Sequence, residues 1–334
     1  MKLLVCGGAG FIGSTFVRIR VREHGDEVTV LDKLTYAGRE ENLQDVADAP
    51  GFQFIRGAIE DPAAVAAAVD AASAEAIVNF AAETHVDRSI AEPDAFVSTH
   101  AFGTYVLLEA ARAHALTLLQ VSTDEVYGSI EDGTFTEQSA LHPSSPYSAT
   151  KAGADLLVAG YFHTYGLPVT ICRGSNNYGP YQYPEKLIPL MILNALHGDP
   201  LPVYGDGRQV RNWIHATDFA RAIGHVLEHG RPGEVYNAGG PDEEENIAVV
   251  RRILELTGGS DAQIEHVADR PGHDRRYSLS SQKVRELGWE PRVRFVEGLE
   301  ATVRWYRENA WWWEPIRSGE YRAYYERQYG RSLG

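Results

Sequence analysis

Six apolar runs of strand length, rich in β-branched residues, punctuate the first half of the chain: KLLVCG, EVTVLD, FQFIRG, AIVNFAA, LTLLQVS and PVTICRGS. Longer amphipathic stretches lie between them. One is DPAAVAAAVDAA, with aspartate and proline at its head as a helix start requires. Strand–helix alternation of this kind predicts a parallel sheet wrapped by helices, here a Rossmann-type doubly wound α/β domain over residues 1–175. The texture then changes. NNYGPYQYPEKLIPL and GDPLPVYGDGRQVRNWIHATDF carry the Pro, Gly, Tyr and Asn of loops, and NIAVVRRILELTGG is a helix stopped by glycines. A smaller C-terminal α/β domain is expected over 176–211 and 239–315, with a segment near 212–238 returning to the first domain. The aromatic, charged end at 316–334 is expected to be a helix followed by a surface tail. No internal repeat or low-complexity tract interrupts this plan.

The 334 residues exceed what one core usually supports, in keeping with two units. With 44% hydrophobic and 23% charged residues the composition is that of a soluble globular protein. A net charge of −15 argues against general nucleic-acid binding, yet a few local arginines and lysines still allow an anionic small ligand. The two cysteines, Cys6 and Cys172, sit in apolar strand-like runs, which indicates no disulfide framework and a reducing compartment. No apolar run reaches the ~18 residues needed to span a bilayer. Glycines interrupt the opening MKLLVCGGAGFIG, which makes a poor signal peptide, so a cytoplasmic protein without membrane contact is expected.

CGGAGFIGS follows the first strand and opens a helix. Gly8, Gly10 and Gly13 satisfy G-x-G-x-x-G, and Gly7, Gly10 and Gly13 satisfy G-x-x-G-x-x-G. Glycines here permit a tight turn and close approach of a pyrophosphate to the helix N-terminus. Asp32 stands at the end of the second strand, where an acid binds ribose hydroxyls, so a dinucleotide is expected. A carboxylate there repels a 2′-phosphate and favours NAD over NADP, although Lys33 next door weakens that inference.

In SPYSATKAG, Tyr147 and Lys151 are four apart, on one face of a helix. A lysine beside a tyrosine stabilises the phenolate and makes a usable base. Taken alone, the pair is two surface residues; behind a dinucleotide fingerprint it reads as catalytic. VSTDEVYGSI places Thr123 and two adjacent acids, Asp124 and Glu125, at the end of another strand. Neighbours on a strand diverge, so both acids belong just past its end, at the edge where open α/β sheets bind ligands. Their bland alternative is a pair of helix N-cap acids. The twelve histidines show no metal-ligand spacing, and no Walker loop or G-x-S-x-G elbow occurs; no metal is expected.

Together these motifs resemble the extended short-chain dehydrogenase/reductase family, sugar-nucleotide branch. The resemblance is carried by LDKLTYAG, AAETHVDRSI, STDEVYG, YSATKAG, SNNYGPYQYPEKLIP and DRPGHDRRY, and covers residues 1 to about 315. It implies a lyase working on a nucleotide-sugar, dTDP-glucose, with tightly bound NAD. Tyr147, with Thr123 and Lys151, removes the C4 hydroxyl proton while the nicotinamide takes the C4 hydride. Glu125 removes the C5 proton, Asp124 protonates the departing C6 hydroxyl, and the hydride returns to C6. The family pattern puts Gly7, Gly10, Phe11, Ile12 and Gly13 at the cofactor, followed by Asp32, Lys33, Leu34 and Thr35. Ala58, Ile59, Phe80, Ala81, Ala82, Thr99 and Asn177 join them, with Tyr147 and Lys151. Around the nucleotide-sugar it puts Thr84, Thr123, Asn176, Lys186, Leu187, Pro202, Val203 and Tyr204. Arg211, Asn246 and the run Asp269, Arg270, Pro271, Gly272 and His273 complete that set, Arg211 and Arg270 being suited to a diphosphate.

Four positions depart from the pattern. Ala58 replaces an adenine-binding aspartate, Cys6 and Thr84 replace Thr and Ser, and His100 replaces Asn. The resemblance also implies a homodimer through AFGTYVLLEAARAHA and KAGADLLVAGYFHTYG. A 4-epimerase or a dehydratase of another nucleotide-sugar is the alternative, and a catalytically silent nucleotide sensor is disfavoured by the retained Tyr–Lys pair. Thymine and uracil differ by one methyl group, which leaves the base open.

Overall fold

The computed structural model describes residues 1–330. Its main sheet has seven strands, all parallel: β1 (Lys2–Cys6), β2 (Glu27–Asp32), β3 (Phe52–Arg56), β4 (Ala76–Asn79), β5 (Thr117–Thr123), β6 (Val169–Gly174) and, much later in the chain, a strand at Val235–Ala238. The spatial order is β3-β2-β1-β4-β5-β6 followed by the late strand, so the winding direction reverses between β1 and β4. Ligands of open α/β sheets bind at the C-terminal edge of that switch point. The strands are fully buried where they cross the centre, as in β4 and β6, because helices cover both faces. This is the expected Rossmann-type α/β fold.

A second lobe holds two small sheets. In one, β7 (Asn176–Tyr178) and β9 (Val210–His215) run parallel; in the other, β8 (Leu201–Tyr204) is an edge strand. The late strand of the main sheet is β10, β11 (Asp242–Glu245) pairs antiparallel with β9, and β12 (Ile264–Val267) pairs parallel with β8. Ile188, Trp213, Ile253, Leu299 and Trp312 share the core of this lobe, separate from the two cores flanking the main sheet.

Three boundaries differ from the sequence reading. The returning segment starts at the helix Ala216–His229, which packs on the helix Phe11–Arg22, and continues into β10; residues 212–215 stay in the smaller sheet. Residues of the 239–315 stretch also return, because Val284 and Trp289 are buried in a core of the first lobe. Residues 316–330 are not a surface tail. The helices Ala310–Ser318 and Glu320–Tyr329 bury Trp312, Trp313, Tyr321 and Tyr325 in the second lobe, and the remaining residues, 331–334, lie outside the described part. No helix among the described residues is long and apolar enough to cross a membrane.

Candidate active site

The first strand turns into its helix through Gly7, at φ +74°, whose amide donates to the Leu31 carbonyl. A Cβ on Gly13 would lie 2.3 Å from the Gly7 carbonyl oxygen, and one on Gly7 would lie 2.5 Å from the Ala81 nitrogen. Only glycine keeps this cradle open at the helix N-terminus. Asp32 closes its far side, with Oδ2 accepting from the Ala9 amide and Oδ1 from the Leu34 amide. The cavity beyond encloses about 270 Å³ and is lined by Gly7, Gly10, Phe11, Ile12 and Gly13, by Asp32, Lys33 and Thr35, and by Ile59, Phe80, Ala81, Ala82, Thr99 and Asn177. The buried Asn177 Oδ1 and Glu60 Oε2 in its wall have no protein partner. An elongated cavity with a glycine cradle, a carboxylate at the ribose position and unpartnered polar atoms fits a dinucleotide.

Leu34 and Ala58 do not line it. Leu34, at φ +56°, packs against the first-lobe core and contributes only its amide, to Asp32. Ala58 turns its carbonyl to the Asp61 amide, ahead of the next helix, while Gly57 and Ile59 face the cavity. Glu60 was missed. Its Oε1 accepts from Lys33 Nζ (2.9 Å) and Thr99 Oγ1 (2.5 Å), and Glu83 lies 3.4 Å from the same ammonium. Lys33 is thus paired twice with carboxylates.

The catalytic candidates converge at the end of β5. Thr123 caps a 3-10 turn, Asp124–Tyr127, by accepting from the Glu125 amide at 3.3 Å, and its hydroxyl donates to Asp124 Oδ1 at 3.3 Å. Both acids therefore sit just past the strand. Tyr147 and Lys151 occupy the first turns of the helix Pro146–Tyr165, set by a Ser145–Ser148 capping box and by proline at its first position. Lys151 Nζ donates to the Val121 carbonyl at 2.7 Å. A hydrogen bond with Thr123 favours the Tyr147 phenolate, whereas burial and then Glu125, Asp124 and Asp155 push the phenol's pKa up. Lys151, expected to stabilise the phenolate, lines the same cavity wall as Tyr147, and the Thr123 hydroxyl adds a hydrogen bond that favours the ionised phenol. His100 packs edge-on to the Tyr147 ring, 5.8 Å between centroids, with Nδ1 at 2.8 Å from Thr150 Oγ1. Burial, then the Lys151 charge, holds it well below the usual imidazole range, so it is a neutral packing group. Thr99 and His100 belong to a π-helical segment, Val97–Gly103, a distortion frequent at functional sites.

Burial, with Glu125 alongside, raises Asp124 to about 8. Glu125 is raised as well, mainly by burial, but Arg270, Arg211 and Lys186 all oppose that shift. Three cations favour a charged Glu125, and only Arg211 does the same for Asp124. The two carboxyls thus meet different fields although they are adjacent in the chain. Burial lowers Lys151 to about 8, with Asp155 opposing.

A second cavity, about 180 Å³, adjoins the first; Thr84, Glu125, Asn176, Glu185 and Lys186 line both. Its wall also includes Leu187, Pro202, Val203, Tyr204, Arg211, Asn246, Arg270 and His273. Asn176 Oδ1, Asn246 Oδ1, Trp213 Nε1 and Arg270 Nε are buried here without protein partners, as a wall built for a polar ligand requires. Asp269, Pro271 and Gly272 stand behind it. Asp269 pairs with His273 at 2.6 Å and accepts from Gln209, and Gly272 makes a turn at φ +64°. The sequence reading also missed Asp87, which pairs with Arg270 at 3.1 Å, and Glu185, which accepts from Tyr36 at 2.7 Å and pairs with Arg88 at 3.2 Å. AAETHVDRSI and YPEKLIP had pointed to these segments but not to these carboxylates. No group of three or more potential metal ligands occurs among the described residues.

A family model described as GDP-mannose 4,6 dehydratase matches residues 4–302. The chain belongs to that family. Among its relatives, a dTDP-glucose 4,6-dehydratase of Streptomyces niveus is 52% identical over 325 residues, covering 95% of this chain and 96% of the relative. The dTDP-glucose 4,6-dehydratase 1 of Escherichia coli K12 is 46% identical over 357 aligned positions, covering 98% of this chain and 99% of the relative. The crystal structure of a Streptomyces venezuelae dTDP-glucose 4,6-dehydratase with NAD bound superposes with a TM-score of 0.92 at 51% identity, over 95% of this chain and all of that one. The family match includes both cavities up to His273 but ends before the helix Glu320–Tyr329.

Proposed function

We propose that this protein is an NAD-dependent dTDP-glucose 4,6-dehydratase, a hydro-lyase that produces dTDP-4-keto-6-deoxy-glucose for deoxysugar synthesis. The observation that carries the reading is the meeting of the two cavities at Glu125, with a protonated Asp124 next in the chain and Tyr147 and Lys151 in the same wall. The glycine cradle and Asp32 hold NAD, which supplies, when bound, an acceptor that takes up and returns a hydride. The pairing of Lys33 with Glu60 and Glu83 removes the one cation beside Asp32, which supports NAD over NADP. Arg211 and Arg270 hold the diphosphate. Tyr147, as the phenolate that its hydrogen bond with Thr123 favours, receives the C4 hydroxyl proton. Oxidation at C4 acidifies the C5 hydrogen, which Glu125 removes, and Asp124 gives its proton to the departing C6 hydroxyl.

The test is incubation of the holoenzyme with dTDP-glucose, UDP-glucose and GDP-glucose. The dTDP-sugar should lose one water fastest, without accumulating NADH. An unchanged mass with inversion at C4 would mean an epimerase instead.

Two further features complete the reading. Val97, Phe102, Tyr105, Leu156 and Tyr165 are large apolar side chains at least 43% exposed, on neighbouring helical segments 97–114 and 146–165. They support a homodimer closed through this face. Free, buried Cys6 and Cys172, with burial raising both thiols far above their usual range, suit a cytoplasmic enzyme.

A further inference from the structure

Behind the candidate acids lies a buried ion pair that the chemistry above does not use. Asp155 stands on the helix of Tyr147 and Lys151, one turn beyond Lys151 on the same face, and Arg173 stands in β6; they are 2% and 4% exposed. Asp155 Oδ2 accepts from Arg173 Nε at 2.8 Å and from the Ser122 hydroxyl at 3.0 Å. The guanidinium is used as a fork. Its Nη1 donates to the Tyr127 hydroxyl at 2.7 Å, and that hydroxyl donates to Asn237 Oδ1 at 2.9 Å. Strand register sets Ser122, Arg173 and Asn237 side by side on β5, β6 and β10, so the three side chains share one face of the sheet. Tyr127, 1% exposed, is the last residue of the 3-10 turn that carries Asp124 and Glu125. None of Tyr127, Arg173 and Asp155 lines either cavity.

The aim of the two acids depends on how that turn is held. The Thr123 hydroxyl meets the Glu125 amide and Asp124 Oδ1 at 3.3 Å each, and Asp124 Oδ2 has no hydrogen-bond partner among the described residues. The His142 amide donates to the Val126 carbonyl at 3.0 Å, and the Phe135 ring stacks on the Tyr127 ring with 5.0 Å between centroids. The Tyr127 hydroxyl adds a tie of another kind, a run of short, charge-assisted bonds through Arg173 and Asp155 to the helix of Tyr147 and Lys151. A buried ion pair adds little net stability over apolar residues of the same volume, and fixing one arrangement is its better use. We infer that Tyr127 and Arg173 are positioning residues for the elimination step, holding Asp124 and Glu125 in register with Tyr147 and Lys151 so that one bound sugar meets both pairs. The inference rests on the dehydratase reading above and deepens it.

Tyr127→Phe removes one hydroxyl and keeps the ring against Phe135. In the holoenzyme given dTDP-glucose in deuterium oxide, water loss and deuterium incorporation at C5 should each slow about tenfold, the effect of one charge-assisted hydrogen bond on the aim of an acid–base pair. The initial rate of NADH formation on mixing, followed by its absorbance, should stay within about twofold of the parent. NADH should therefore build up during turnover, with KM and NAD content unchanged. A loss of stability alone would slow both steps alike. Equal slowing of the two steps, or deuterium incorporation within about twofold of the parent, overturns the inference. If Tyr127→Phe does not fold, Arg173→Lys decides. It keeps a cation for Asp155 but lacks the fork that reaches Tyr127, and it should separate the two steps in the same way. Equal slowing there, or failure of both variants to fold, makes the tie a matter of stability only and overturns the inference. A parent that does not reduce its NAD with dTDP-glucose removes the dehydratase reading itself; a working parent beside an unaltered Tyr127→Phe overturns this inference alone.

Discussion

Replacing Asp124 by asparagine separates its proton from its shape. With Asp124 at about 8, roughly nine-tenths of the molecules carry the proton at pH 7, against about one in 1,600 for an aspartate at its ordinary value. Burial thus raises the population of working acid on the order of a thousandfold, and asparagine, which cannot give up a proton, forfeits all of it. General acid catalysis contributes about 10²–10⁴-fold, so kcat for water loss should fall by that factor, about 3–5 kcal/mol of barrier. Stability should move the other way. The folded pKa lies above the unfolded one, so this group's contribution is full below about pH 4 and is lost as pH rises toward 8. Asparagine does not titrate. Asp124→Asn should therefore melt higher than the parent near neutral pH, by a margin that opens between about pH 4 and 8 and stays constant above; at 1.36 kcal/mol per unit the upper bound is a few kcal/mol. Product mass with dTDP-glucose reads the first effect, and thermal unfolding at about pH 5, 7 and 8.5 reads the second. A variant with kcat within about tenfold of the parent, or one no more stable at pH 7 than at pH 5 relative to it, would falsify the assignment.

Glu125→Gln should cut kcat by about 10²–10⁴ and leave the NAD content intact, because Glu125 stands where the cofactor cavity opens into the second one; exchange of the C5 hydrogen with solvent deuterium should stop. Turnover should decline above about pH 8 as Asp124 and Lys151 both lose protons, and in Asp124→Asn the steepness of that limb should drop to a single ionisation, read from kcat across pH. Gly13→Ala puts a Cβ 2.3 Å from the Gly7 carbonyl and should yield protein purified without NAD; normal occupancy would contradict the cradle. Leu156→Asp, at a side chain 63% exposed on the proposed interface, should give a monomer in light scattering at micromolar concentration while the parent is a dimer.

Local features of the sequence were the readable ones. The glycine turn, the six strands, the capped helix of Tyr147 and the acids past β5 each announce themselves within about ten residues, because strand period, caps and turns are short-range physics. What escaped depends on contacts between distant segments. Lys33 looked like a cation available to a phosphate until Glu60 and Glu83 were found on it, 27 and 50 positions away. The end of the chain read as surface because its tryptophans and tyrosines alternate with charges. Their burial depends on partners such as Asn42, whose Oδ1 accepts from Trp312 Nε1 across 270 residues. Asp87 and Glu185 were invisible for the same reason: only folding puts Arg270 and Tyr36 beside them.

The acids of VSTDEVYGSI show how tertiary charge divides labour that sequence leaves undivided. Adjacent in the chain, the two carboxylates differ in exposure, Asp124 being buried and Glu125 only partly so. Both stand in the 3-10 turn that Thr123 caps, and their charge difference follows from what each meets. Asp124 is buried in the wall of the first cavity, and burial, then the Glu125 charge, raises its pKa to about 8. Glu125 reaches the junction of the two cavities, where Arg270, Arg211 and Lys186 favour its ionised form. Those cations come from the second lobe, and all three line the second cavity, where the two arginines are suited to a diphosphate. The residues proposed to hold the nucleotide therefore also favour the charged form of the proposed base. Weakening them should impair proton abstraction as well as binding, which is why acid, base and phosphate clamp behave as one electrostatic unit rather than as three separate parts.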